Sequence, residues 1–245
     1  MQRYFIHFSY DGSRYHGWQI QPSACSVQEV LQKALSTILR QSIEVVGAGR
    51  TDAGVHARHM VAHFDMETAL PLEGETLAYR LNRILPADIA IYKIEPVDAD
   101  LHARFSARSR TYFYYIHTHK NPFIRQSSCQ IGYTLDFGLI NEAASHLLTT
   151  NDFGAFCKSH TDVKTTLCHV TEARWIQDSP TEWHFVITAN RFLRNMVRAV
   201  VGTLIDVGRG RITIQEFDNI IAQKKRTAAG ESMPAHALFL EKVEY

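Results

Sequence analysis

Aromatic and β-branched residues dominate positions 3–10 (RYFIHFSY) with partial alternation, the pattern of a strand. Ser26-Val27-Gln28-Glu29 matches a capping box. After it, Val27, Val30, Leu31, Ala34, Leu35, Ile38 and Leu39 recur at i, i+3 and i+4 without a gap, which predicts an amphipathic helix. Residues 43–47 (IEVVG) read as a short strand, and 58–65 (RHMVAHFD) as another beyond a Gly-rich loop. Residues 73–85 read as a helix stopped by Pro86, and 89–95 (IAIYKIE) as a strand. The order β-α-β-β-α-β is the split βαβ, or ferredoxin-like, unit.

The remainder repeats that order. Residues 108–118 (RSRTYFYYIHT) predict a strand and 136–149 a helix with Ile140, Ala143, Ala144, Leu147 and Leu148 on one face. Strands follow near 168–176 and 183–189, then a long helix over 191–206. A second helix over 213–224 starts at a Thr213 cap, and 237–244 (ALFLEKVE) closes as a strand. The expected fold is therefore α+β. Two ferredoxin-like halves, 1–104 and 105–245, meet at a crossover over 96–106. They would join into one extended, mainly antiparallel sheet with helices on one face and a central cleft. No residue-level repeat accompanies the architectural one.

Composition narrows the class. Hydrophobic residues make up 45% of the chain, enough for a sizeable core. No apolar run approaches the ~18–20 residues that span a bilayer. The N-terminal stretch reads as a strand and not as a signal peptide. Cysteines 25, 129, 157 and 168 form no CxxC pair, which fits reduced thiols in a cytoplasmic protein. Net charge is only +1, yet it is unevenly spread. Arg104, Arg108, Arg110, Lys120 and Arg125 lie between Leu101 and Ile131 with no acid among them. Arg191, Arg194 and Arg198 do likewise between Ala189 and Ile205. Such segments fit either a bound polyanion or a solvated surface.

Candidate chemistry gathers in Gly47-Ala48-Gly49-Arg50-Thr51-Asp52-Ala53-Gly54-Val55-His56. Glycines at 47, 49 and 54 permit positive φ and close backbone approach, so the loop could hold one side chain at a defined place. Asp52 lies at its centre. Local composition alone favours a plain Asx-turn. Neither GxGxxG nor GxxxxGK[ST] is present, so a nucleotide site is weakly supported. His56, His59 and His63 have helical spacing in a segment that reads as a strand, which argues against a metal site and a metal-dependent hydrolase.

GAGRTDAGVHA resembles the signature of the tRNA pseudouridine synthase A family. Four further segments agree in order: Tyr10 to Gln19 (YDGSRYHGWQ), Phe105-Ser106-Ala107 with Arg110 and Tyr112, Phe192 to Arg198 (FLRNMVR) with Gly202, and Ala237 to Leu240 (ALFL). The likeness spans nearly the whole chain. It implies an enzyme that isomerises uridine to pseudouridine at positions 38, 39 and 40 of the tRNA anticodon stem-loop. It also implies a homodimer that grips one tRNA, with no DNA or membrane partner. By the same resemblance Asp52 is the catalytic carboxylate, Arg198 its ion-pair partner, Tyr112 the active-site tyrosine, and Leu238 a residue packed on the target base.

The residues suit that chemistry. Moving the uracil link from N1 to C5 involves no redox change and no outside energy, so no cofactor is expected: no NAD, ATP or metal. A carboxylate serves an electron-poor C1′, as in glycosidases. With no water to activate, one carboxylate suffices. Burial would raise its pKa, and a guanidinium opposes that. On the helix predicted over 191–206, Arg191, Arg194 and Arg198 at i, i+3 and i+7 would share one face. Arg194 is then a candidate phosphate contact. Arg50 is a candidate to fill the space left by a flipped base, and Tyr112 to stack on that base. Arg209, Arg211 and Lys224 to Arg226 could extend phosphate contacts. A non-catalytic RNA-binding module remains the alternative, since RRM domains share this architecture; the RNP1 pattern is absent.

Overall fold

The structure is a computed structural model that describes residues 1–158 and 163–245. It is an α+β protein whose strands are mostly antiparallel, as the hydrophobic pattern predicts. The chain divides into two compact units. One comprises Met1–Arg108 together with Leu240–Tyr245, the other Ser109–Phe239.

In the first unit, β1 (Gln2–Tyr10) is followed by α1 (Val27–Leu39), β2 (Val46–Gly47), β3 (His56–Met66), α2 (Gly74–Ile84) and β4 (Ile89–Val97). The β-α-β-β-α-β order is the expected one. β4, β1 and β3 are neighbours in that order, with β2 on β3, and every pairing is antiparallel. Tyr4, Ile6, Phe8 and Tyr10 are buried, the alternate positions of β1. Ser26 caps α1 by accepting from the Glu29 amide, and Arg40 ends it in the left-handed conformation. Leu85 turns extended before Pro86, which disfavours the helical region for its predecessor, so α2 stops there.

In the second unit, β5 (Ser109–His117) precedes a two-residue strand, β6 (Cys129–Gln130), that the sequence does not announce. Then come α3 (Phe137–His146), β7 (Val170–Ser179), β8 (Glu182–Ala189), α4 (Met196–Gly208) and α5 (Ile214–Gln223); the last strand, β9 (Leu238–Glu244), starts in this unit, and its residues from Leu240 onward count with the first. β5, β8 and β7 are neighbours in that order, all antiparallel, with β6 added in parallel on β5. Every residue of α4 except Arg198 and Asp206 is buried. A helix apolar on all sides belongs inside a core, and here it is the centre of one.

One expectation needs correction. α4 begins at Met196 and not at 191, because Asn195 adopts a left-handed conformation (φ 66°) that interrupts the helix. Arg191 and Arg194 lie in the irregular segment before it, so they share no helical face with Arg198. Of glycines 47, 49 and 54, only Gly54 has positive φ (78°).

Among the described residues no helix is long and apolar enough to cross a membrane.

Candidate active site

Asp52 is half-buried on the loop between β2 and β3, and Arg50 beside it is exposed. The loop is tied on both sides of the carboxylate. Thr51, one residue earlier, is buried; its hydroxyl pairs with the Tyr10 phenol at 2.9 Å, and its carbonyl accepts the Trp18 amide at 3.2 Å. After Asp52, the Val55 amide donates back to the Asp52 carbonyl at 3.1 Å. That four-residue turn has Gly54 at its third position, where positive φ favours glycine. The Gly54 amide reaches the Tyr15 carbonyl at 3.3 Å.

Residues 10–19 therefore form a cradle around the loop. A Cβ at Gly17 would come within 2.4 Å of the Thr51 carbonyl oxygen, and one at Gly12 within 2.0 Å of that of Val55. Gly47 has its own reason to be glycine: a Cβ there would lie 2.5 Å from the Trp18 indole. The cradle is anchored in turn. Tyr15 donates to Asp88 at 2.5 Å, and burial with that carboxylate pushes the phenol's pKa well above its ordinary value. In the sequence this segment carries a resemblance but no role for its residues. Its crowding of glycines and aromatics was the available signal.

His56, His59 and His63 each have partners of their own along β3. His56 Nδ1 lies 3.1 Å from both the Gly12 amide and Asp11 Oδ1. His59 pairs with His7 at 3.1 Å, and His63 accepts the Ala103 amide at 3.1 Å. Among the described residues no group of three or more His, Cys, Asp or Glu converges as a metal site would require.

The other candidates belong to the second unit. Tyr112 is buried on β5, opposite Ile187 of β8, with the Phe192 ring edge-on at 5.0 Å. Tyr114 shares its face and is fully buried; its hydroxyl donates to the Pro234 carbonyl at 3.0 Å. Phe113 and Tyr115 face the other way, half-buried against His184. Arg110 donates to the Asn190 carbonyl at 2.9 Å and steadies the chain before Phe192. Arg198 is half-buried on the first turn of α4, and its Nε donates to the Met233 carbonyl at 2.6 Å. Arg194 is exposed, with its carbonyl accepting the Lys158 amide at 3.0 Å. Leu238 is buried at the start of β9.

Several further basic residues are engaged within the protein. Arg226 donates to two carbonyls and a hydroxyl of its own loop. Lys224 pairs with Asp152 at 2.8 Å, and Arg211 with Asp206 at 3.4 Å. The Arg209 guanidinium lies over the Tyr133 ring at 3.8 Å. Arg50 and Asp52 are thus brought together on one loop of the first unit. Tyr112, Arg194, Arg198 and Leu238 are placed on three segments of the second.

A family model described as tRNA pseudouridine synthase matches residues 6–106 and 143–245. The chain is 56% identical to a protein of Bacteroides thetaiotaomicron named tRNA pseudouridine synthase A, over all of this chain and 91% of that one. It is also 56% identical to the Bacteroides fragilis protein of the same name, over all of this chain and 97% of that one. The Bacillus subtilis protein of that name is 41% identical, over 97% of this chain and 96% of its own.

Proposed function

Because the chain belongs to the tRNA pseudouridine synthase family, we propose that it isomerises uridines 38, 39 and 40 of the tRNA anticodon stem-loop, with Asp52 as the catalytic carboxylate. Membership makes it an isomerase acting on tRNA; the target positions and the residue roles are the proposal. One observation carries the assignment of Asp52. It is a half-buried carboxylate on a loop whose neighbours on both sides are pinned to a second segment. Preorganisation of this kind holds a reacting group in place before substrate arrives.

The reaction breaks N1–C1′ and forms C5–C1′. A proton leaves C5 and one is gained at N1, so atoms balance without a co-reactant. The carboxylate meets the electron-poor C1′ or adds to the base. Arg198 is the guanidinium assigned to serve that carboxylate. The target base must leave its stack, at a cost of a few kcal/mol. Stacking returns about 1–3 kcal/mol, supplied by Tyr112 with Leu238 packing on the base. Arg50, exposed beside Asp52, fills the vacated place, and Arg194 contacts phosphate. The working form is a cytoplasmic homodimer bound to one tRNA.

Asp52→Asn and Asp52→Ala are expected to keep tRNA binding and to abolish pseudouridine formation. Mapping pseudouridine in tRNA treated with each protein decides it, and substantial activity in the Asn variant would sink the assignment. Arg198→Met is expected to lower the single-turnover rate more than the affinity. A loss confined to affinity would remove Arg198 from the chemical step.

A further inference from the structure

We propose that residues 226–236 form a strap whose purpose is to position Arg198, and that Arg226 and Ser232 are positioning residues for the isomerisation. This rests on the reading above, in which Arg198 serves Asp52.

Arg198 is the single cation on α4, and a guanidinium on a flexible stem must lose substantial rotamer freedom to act as a fixed charge. The structure restrains it at two points on one residue. Arg198 Nε donates to the Met233 carbonyl at 2.6 Å, and the Met233 amide donates to the Arg198 carbonyl at 3.1 Å. Engagement through Nε restrains the plane of the guanidinium, so Met233 helps to set where the planar fork points. That restraint is only as firm as the segment that carries Met233.

The segment is held at nearly every second residue. Arg226 donates to the Ala229 carbonyl at 3.3 Å, the Gly230 carbonyl at 3.0 Å and the Ser232 hydroxyl at 2.8 Å, stapling its own turn. Ser232 also accepts from the Asn195 side chain, in the residue that opens α4. The Gly230 amide donates to the hydroxyl of buried Thr203 at 3.0 Å. The Glu231 carbonyl approaches α4 so closely that a Cβ at Gly202 would lie 1.8 Å from it. Tyr114 then holds the Pro234 carbonyl.

Surface connections of this kind are ordinarily mobile and sparsely bonded. A segment that merely sealed the core would rely on apolar side chains. Here the attachments are polar, and Arg226 and Ser232 are only half-buried. They converge on the two residues flanking Met233 and on the first two turns of α4, which is where Arg198 stands.

The test is a set of double-mutant cycles on the full-length protein. Arg226→Met and Ser232→Ala are each combined with Arg198→Lys, which keeps a cation but lacks the Nε donor. Each single strap variant is expected to lower kcat about tenfold, with KM for tRNA changed less than about twofold, since small misplacements of a catalytic group act on the chemical step. Arg226→Lys should rescue little, because an ammonium cannot serve three acceptors as a planar fork does. In the Arg198→Lys background the strap variants should lower kcat by less than about twofold more. The strap proposal is overturned if both single variants keep full kcat, if the loss lies in KM, or if the loss is as large in the Arg198→Lys background. Ser232→Ala removes one oxygen, so it keeps the test open should Arg226→Met fail to fold. Full activity of both Arg198→Lys and Arg198→Met would instead sink the role of Arg198 itself, a different failure from additive cycles.

Discussion

Thr51 stands one residue before the proposed carboxylate, and its hydroxyl meets the Tyr10 phenol inside the protein. Tyr10→Phe would leave that hydroxyl unpaired, at a cost of about 1–3 kcal/mol. The variant should unfold at lower denaturant and lose kcat with little change in tRNA affinity; a midpoint identical to that of the unmodified protein would show the bond to be dispensable. His63 carries a separate, pH-linked cost. Burial first, then Arg3 and His102, lower its pKa from 6.5 to about 4, and its Nδ1 accepts the Ala103 amide. Below pH 6.5 the unfolded chain binds a proton here that the folded chain refuses until about pH 4. Stability must therefore fall as pH drops through that window, by at most about 3 kcal/mol from this residue. Denaturation midpoints measured across the window in the unmodified protein and in His63→Gln should diverge, with the variant flatter.

The helices show where a sequence speaks and where it does not. Thr213 and Glu216 form a full capping box at the start of α5, and Thr213→Ala should cost about 1 kcal/mol in thermal unfolding. That cap was legible, as were the Ser26 cap and the apolar periodicity of α1, because helix starts and buried faces depend on residues near in sequence. The start of α4 was not legible. Phe192 and Leu193 continue the apolar pattern, and only the left-handed Asn195 breaks it, a conformation asparagine permits but does not announce. Helical spacing of Arg191, Arg194 and Arg198 was therefore read onto a helix that does not exist at the first two positions. The cradle of residues 10–19 and the strap of 226–236 were equally hidden. Most of their bonds join groups far apart in sequence, and no periodicity records them. The glycines illustrate this: Gly12 and Gly202 are explained only by carbonyls of Val55 and Glu231, which composition cannot point to.

At the scale of the whole molecule, a net charge of +1 must serve an enzyme of tRNA, so local basic segments are expected to carry the interaction. Binding of tRNA should weaken linearly in log–log plots against salt. Lys120→Ala and Arg125→Ala, from the acid-free stretch, should each reduce the slope by up to about 1 if they meet phosphate. Lys224→Ala should change it little, since that ammonium already faces Asp152. Unchanged slopes in the first two variants would move the tRNA path elsewhere. The division of the chain has one further consequence, for its synthesis. The unit that carries Asp52 is discontinuous: Leu240–Tyr245 belong to it, with the Glu244 carbonyl accepting the Arg108 amide and Tyr245 donating to Ala103. A ribosome delivers the first 108 residues early, but the strand that completes their sheet emerges only after 131 residues of the other unit. The unit holding the proposed carboxylate lacks that strand until the chain has passed residue 240, so the capacity to act on tRNA is expected only beyond that point.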